Sequence, residues 1–147
     1  MREQSLSNAR TLVMIVIFSS LSVLGAAPVA AQDVTSAGVY TTEQAERGKG
    51  VYSQECAACH LDDLLGDGIA PPLVGVPFEF RWSDLTVSDV YAAIRTTMPQ
   101  GAPASLSNQA YVDIIAYLLQ ANEYPTGDSE LPIGEDALGQ ITVDAKP

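Results

Sequence analysis

A Cys-x-x-Cys-His motif lies in the first half of the chain, at Cys56, Cys59 and His60. This spacing is typical of covalent haem attachment, in which the two thiols add across the haem vinyl groups and the adjacent imidazole binds iron. A redox disulfide, a zinc site and a chance match are the alternatives. A thioredoxin-like disulfide belongs near a βαβ pattern, which we do not find, and zinc needs about four ligands. The motif therefore predicts one covalent haem c.

A second axial ligand for the iron must come from elsewhere in the chain. His60 is the only histidine, so a bis-histidine site within one chain is excluded. Met98 is the only methionine left if residues 1–31 are removed, and it precedes Pro99 in a predicted loop. Methionine commonly fills cores, but in this context we predict His60 and Met98 as the two metal ligands. Lys49 and Lys146 are poorly placed rivals.

The N-terminus has the pattern of a secretory signal. Arg2 and Arg10 form a charged region, and Thr11 to Leu24 is an apolar run that is short for a spanning helix. Small residues end at Ala31, which predicts a mature chain beginning at Gln32 and a periplasmic location. The alternative is that the same segment is retained as a membrane anchor.

The charge balance is strongly acidic. The full chain has a net charge of −11, and cleavage after residue 31 would remove two basic residues and one acidic residue, leaving −12. This balance argues against partners such as nucleic acid or anionic lipid surfaces. It favours a cationic docking face on a protein partner, although high charge also keeps an exported protein soluble.

Hydrophobic periodicity predicts an all-α fold with three main helices and no convincing strand. The first helix starts near Thr41 or Thr42, where Thr41 and Gln44 fit a capping box, and leads into the haem motif. The second spans Val87 to Thr97, capped by Thr86. The third spans Asn108 to Ala121, capped by Ser107.

Breaker residues predict irregular structure elsewhere. Leu61 to Phe80 contains glycines and prolines at short intervals, which is typical of a loop. The residues after Pro125 are acidic and turn-rich, with at most a short helical piece around Glu135 to Gln140. So much irregular chain buries little apolar surface, and we expect the haem to fill the core.

Taken together, these motifs resemble a class I monohaem cytochrome c. The likeness covers about Thr42 to Asn122 and rests on the haem motif, on the sequence APPLVG at 70–75, on Met98-Pro99 and on the last helix. A narrower likeness, to cytochromes associated with quinoprotein (PQQ-dependent) alcohol dehydrogenases, rests on short segments such as Arg81-Trp82. The predicted organisation is a signal peptide at 1–31, a lead-in at 32–40, a cytochrome c domain at 41–124 and an acidic tail at 125–147.

The resemblance implies roles for matching positions. Pro71 matches the proline whose carbonyl accepts the proton on the second ring nitrogen of the ligand histidine, although Ala70 replaces the usual preceding glycine. Leu73 matches a haem-packing leucine, and Trp82 is a candidate donor to a haem propionate. Gly48 and Tyr52 match the face of the first helix that crosses the last helix.

These features predict an electron-transfer protein rather than an enzyme, because two filled axial positions leave no open site on the iron. The leading hypothesis is a periplasmic respiratory carrier that takes single electrons from an exported dehydrogenase and passes them to an oxidase or another cytochrome. A cytochrome subunit of a stable dehydrogenase complex is the second hypothesis. A haem enzyme or gas-binding protein with an open distal site is the third.

Overall fold

The computed structural model describes residues 33–145. The predicted signal peptide, Gln32 and Lys146 lie outside the described residues. Within them the regular secondary structure is almost wholly helical, which confirms the all-α class, and long loops join the helices. In chain order the elements are β1 (Asp33–Val34), a 3-10 helix (Thr35–Ala37), α1 (Thr42–Glu55), α2 (Ala57–His60), α3 (Val76–Trp82), α4 (Val87–Thr97), α5 (Asn108–Ala121), α6 (Glu135–Leu138) and β2 (Ile141–Thr142). Each of the helices in this part of the chain is too short or too polar to cross a bilayer.

The caps of α4 and α5 lie where the sequence predicts them. Thr86 and Asp89 form a reciprocal capping box at the start of α4. The Ser107 hydroxyl accepts a hydrogen bond from the backbone N–H of Ala110 at the start of α5. Each cap satisfies a backbone donor that the first turn leaves without a partner, and both helices have their predicted bounds.

The predicted capping box of α1 is only half formed. The Thr41 hydroxyl accepts from the Gln44 backbone N–H at 3.2 Å, as predicted. The Gln44 side chain, however, bonds the backbone of Leu131 in both directions, at 3.2 Å and 2.8 Å. Gln44 is fully buried, so these two bonds give both the N–H2 group and the oxygen of its side-chain amide a partner where water is excluded.

Helix α3 corrects the prediction that Leu61 to Phe80 is all loop. Pro77 lies in the first turn of α3, where a missing N–H costs nothing because that turn has no internal acceptor for it. Gly75 precedes the helix with a positive φ of 69°, and Phe78 is buried on its inner side. Proline therefore begins this helix rather than breaking it.

The centre of the fold is the crossing of α1 and α5. A Cβ atom at Gly48 would lie 1.8 Å from the backbone oxygen of Asp113, so only glycine permits this approach. One turn further on, the rings of Tyr52 and Tyr117 pack with centroids 5.2 Å apart. The close approach that the resemblance implied for Gly48 is therefore present, and α5 is buried over most of its length.

Residues 125–145, called the C-terminal strap below, pack against the rest of the fold. They contribute buried apolar side chains to the core, namely Leu131, Leu138, Ile141 and Val143. Strand β2 pairs in parallel with β1, and Thr142 also bridges to Thr86. These two-residue strands correct the prediction of a fold without strands. Sequence periodicity cannot detect strands this short.

Candidate haem site

The Cys-x-x-Cys-His motif forms the junction between α1 and α2. The Cys56 N–H donates to the carbonyl of Tyr52, and the His60 N–H donates to the carbonyl of Cys56. The two thiols are not joined in a disulfide. Burial, with a smaller effect of the Glu55 charge, raises the pKa of the Cys56 thiol to about 11, which keeps that thiol neutral.

The imidazole of His60 is held in one orientation. It is buried, and its Nδ1 lies 3.0 Å from the carbonyl oxygen of Pro71. Because a carbonyl only accepts hydrogen bonds, this contact places the proton on Nδ1 and leaves the lone pair of Nε2 free to bind a metal. These are the two atoms that the resemblance pairs, and the replacement of glycine by Ala70 does not prevent the contact.

Tight turns in the loop after the motif aim the Pro71 carbonyl. The Gly66 N–H donates to the carbonyl of His60, and a Cβ at Gly66 would lie 2.1 Å from the carbonyl oxygen of Ala70. One carboxylate oxygen of Asp67 accepts from the N–H groups of Ile69 and Ala70. These hydrogen bonds hold the pKa of Asp67 below its ordinary value.

One cavity of about 540 Å³ brings together all the site residues predicted from sequence. They are Cys56, Cys59, His60, Pro71, Leu73, Trp82 and Met98. The other lining side chains are mainly apolar, among them Phe78, Ile94 and Leu118. The rival ligand Lys49 does not line the cavity, and Lys146 is not described. Among residues 33–145, no three or more His, Cys, Asp or Glu side chains are grouped so as to hold a metal ion by themselves.

A comparison with known protein families identifies the family of this chain. The family model described as "Cytochrome C oxidase, cbb3-type, subunit III" matches residues 43–118, more than half of the chain. The chain belongs to this family of c-type cytochromes. It is a haem-based electron-transfer cytochrome, and its family implies covalently bound haem c. Searches of curated proteins and of solved structures found no significant match.

The donor set of the cytochrome fits that cofactor. Two thiols at the attachment spacing, an imidazole with a free Nε2 and a thioether all line a single, largely apolar cavity. A soft sulfur and an imidazole nitrogen are suitable axial ligands for haem iron. The residues present are therefore consistent with haem c in this cavity.

Asn122, the residue after α5, positions one loop of the site without lining the cavity itself. Its side chain is buried and accepts from the Gly75 N–H while donating to the carbonyls of Leu73 and Leu118. The cytochrome thus ties the loop that carries Leu73 to the C-terminal end of α5. A polar residue at a helix end gives no hint in sequence of a loop partner 47 to 49 positions away.

Trp82 and Tyr111 differ from each other in burial and in the contacts that they make. Trp82 ends α3 half-buried, with the guanidinium carbon of Arg81 4.8 Å from its ring centroid. Tyr111 is fully buried, and its hydroxyl donates to the backbone carbonyl of Met98 at 2.9 Å. The Tyr111 hydroxyl is therefore bonded to the backbone of the predicted ligand Met98.

Proposed function

We propose that this cytochrome is an exported, single-haem electron carrier. It accepts single electrons from an exported dehydrogenase and passes them to an oxidase or another cytochrome. The observation that supports the proposal best is the cavity in which His60, the two motif cysteines and Met98 meet. The haem bound there would supply an Fe(III)/Fe(II) couple.

In this proposal the chain's own residues set the properties of the iron site. Cys56 and Cys59 would anchor the ring and His60 and Met98 would bind the iron, with Pro71 fixing the tautomer of His60. The thioether of Met98 raises the reduction potential because soft sulfur favours the ferrous state. Leu73 and Trp82 help to exclude water. Filling both axial positions leaves no site for oxygen or substrate, which favours a carrier over an enzyme.

Charge supports a protein partner with a basic docking surface. Glu55 and Asp67 lie at the cavity, and Asp62 and Asp63 are exposed on the adjoining loop. Like-signed carboxylates around an electron-transfer site steer a cationic partner into contact and repel an anionic one. We infer that electron exchange with the partner slows as ionic strength rises.

The donor in this proposal is a quinoprotein dehydrogenase, by the narrower sequence resemblance. A second candidate function is supported by the family match, whose description names an oxidase subunit: the chain would then be the cytochrome subunit of a stable complex. Purification from the native host separates the two. A free carrier elutes at the size of the mature chain, whereas lasting co-elution with a dehydrogenase or oxidase would overturn the free-carrier proposal.

Export has its own test. N-terminal sequencing of the periplasmic fraction should give a chain that begins at Gln32. A chain beginning at Met1 or Arg2 in the membrane fraction would contradict cleavage and favour a retained anchor.

Substitution of Met98 tests the ligand set. Met98→Ala should remove the weak far-red band of an iron–thioether bond and lower the midpoint potential by on the order of 0.1 V, because axial ligands dominate haem potentials. Ile94→Ala is the control, since Ile94 lines the same cavity and offers no donor atom. An unchanged spectrum and potential in Met98→Ala would refute ligation by Met98, and a high-spin ferric parent would favour the haem-enzyme hypothesis.

A further inference from the structure

The backbone N–H and the backbone carbonyl of Met98 both have hydrogen-bond partners, one on each of the two helices α4 and α5. Its N–H donates to the carbonyl of Ile94 in α4 at 2.8 Å. Its carbonyl accepts from the hydroxyl of Tyr111 in α5 at 2.9 Å. Met98 is the residue at which the chain leaves α4, with an extended backbone (φ −127°, ψ 151°). The direction of its side chain therefore depends on where these two hydrogen bonds hold the peptide.

Tyr111 is well placed to hold Met98 firmly. It is fully buried within α5, so its hydroxyl cannot exchange the Met98 carbonyl for bulk water. Its ring packs edge-on against Tyr91 of α4, with centroids 6.2 Å apart and planes at 84°. A rigid ring with two side-chain torsions fixes the position of its hydroxyl more closely than a long flexible donor would.

A second tyrosine makes the reciprocal link between the same helices. The Tyr91 hydroxyl of α4 donates to the side-chain oxygen of Asn108, the first residue of α5, at 3.0 Å. The two links differ in one respect. The Tyr91 hydroxyl bonds Asn108, whereas the Tyr111 hydroxyl bonds the Met98 backbone itself.

We propose that Tyr111 is a positioning residue that holds Met98 in place as the axial ligand. This inference rests on the proposed function, because it assumes that Met98 binds the iron. Loss of the Tyr111 hydroxyl leaves the Met98 carbonyl without that donor and the chain after α4 free to shift. The Met98 thioether then competes less well with other ligands for the iron.

The test compares Tyr111→Phe with a matched control. Tyr40→Phe also removes a hydroxyl from a fully buried tyrosine that donates to a backbone carbonyl, that of Tyr124, and Tyr40 does not line the cavity. The haem-loaded ferric proteins are titrated with imidazole, which displaces a methionine ligand. The imidazole dissociation constant of Tyr111→Phe should fall about three- to tenfold, the factor that a neutral hydrogen bond is worth.

In Tyr40→Phe the imidazole dissociation constant should stay within about twofold of the parent value, even if this variant loses as much melting temperature as Tyr111→Phe does. Tyr91→Phe serves as a second control, because it loosens the contact between α4 and α5 while keeping the bond to Met98. Equal imidazole affinities in Tyr111→Phe and the parent would overturn the inference, and so would an equal gain in affinity in Tyr91→Phe.

The same titration can be followed on the unsubstituted holoprotein. Imidazole should raise the exchange rate of the Tyr111 hydroxyl proton at least threefold and leave that of Tyr40 unchanged. An unchanged rate for Tyr111 would contradict the proposal. If Met98→Ala alters the spectrum while the imidazole dissociation constant of Tyr111→Phe equals that of the parent, only the positioning role of Tyr111 is refuted. If Met98→Ala leaves the spectrum and the midpoint potential unchanged, the proposed ligation of the iron by Met98 is refuted.

Discussion

The crossing of α1 and α5 and the wall of the haem cavity bury their surfaces in different ways. At the crossing the two backbones touch, and not even a methyl group fits at Gly48. At the cavity, α2, α3 and the loop 61–75 surround about 540 Å³ that their own side chains do not fill. The crossing is packed by protein atoms alone, whereas the cavity would be filled by the haem that the family implies.

The crossing and the cavity also differ in which kinds of side chain they bury and expose. Asp113 at the crossing is 4% exposed, and its carboxylate accepts two hydrogen bonds from Arg47, both at 3.1 Å, and one from Gln109. Ile69 and Phe80 at the cavity are 93% and 91% exposed. The buried carboxylate at the crossing has its hydrogen-bond partners within the protein, whereas exposed apolar side chains at the cavity gain from a surface that covers them. We infer that haem binding stabilises the cavity wall more than the crossing.

Removal of the haem anchors should have the largest effect on this contrast. We expect the Cys56→Ala/Cys59→Ala variant to carry no covalent haem and to lose cooperative thermal unfolding, because a ligand that binds only the folded state is gone. Amide hydrogen exchange should show remaining protection confined to α1 and α5, with none in residues 61–82. A variant that melts cooperatively, with protection in both regions, would show that the cavity wall is stable without haem.

The Gly48→Ala substitution should break the other region. The added Cβ would meet backbone rather than a flexible side chain, so the helices must separate, at a cost of about 3 kcal/mol in the free energy of unfolding. Gly50→Ala in the same helix is the matched control, because nothing lies within 4 Å of its Cβ position. It should gain about 0.5 to 1 kcal/mol from helix propensity. Urea titration of the two holoproteins measures both changes, and equal stabilities would contradict the close crossing.

Features of the fold that depend on near neighbours in sequence could be predicted. The caps of α4 and α5 each need residues only three positions apart, Thr86 with Asp89 and Ser107 with Ala110. The Gln44 side chain bonds a residue 87 positions away, and nothing in its local sequence indicates that partner. The same holds for the C-terminal strap, whose acidic, turn-rich sequence conceals a few fully buried apolar residues.

Residues of the candidate site divide in the same way. The haem motif is contiguous, and Met98 could be selected because few methionines and one histidine are available. Tyr111 and Asn122 act through backbone carbonyls and N–H groups, which are present at every position and leave no mark in sequence. Their roles therefore depend on the packing of α5 against two loops, which only the structure shows.

The smallest effect should come from Asp144, in the C-terminal strap and away from the cavity. Burial raises the pKa of its carboxyl group, but hydrogen bonds from the side chain and backbone of Ser36 and from the Thr35 hydroxyl outweigh that effect, so its pKa lies below the ordinary 3.8. A depressed pKa contributes stability above the unfolded-state pKa and loses it as the pH falls through the folded-state value. Asp144→Asn should therefore lower the free energy of unfolding by about 1 kcal/mol at pH 7.

The difference between Asp144→Asn and the parent should be constant from pH 7 down to about 5 and shrink as the pH falls below 3.8, because the parent carboxylate then becomes protonated. Comparing the two proteins cancels the other carboxylates, and Asp128→Asn, at an exposed position in the same strap, is the control. The midpoint potential should not change in either variant, because neither residue lines the cavity. A shift in the potential of Asp144→Asn would show that the strap and the haem cavity are coupled, contrary to the division drawn between the two regions.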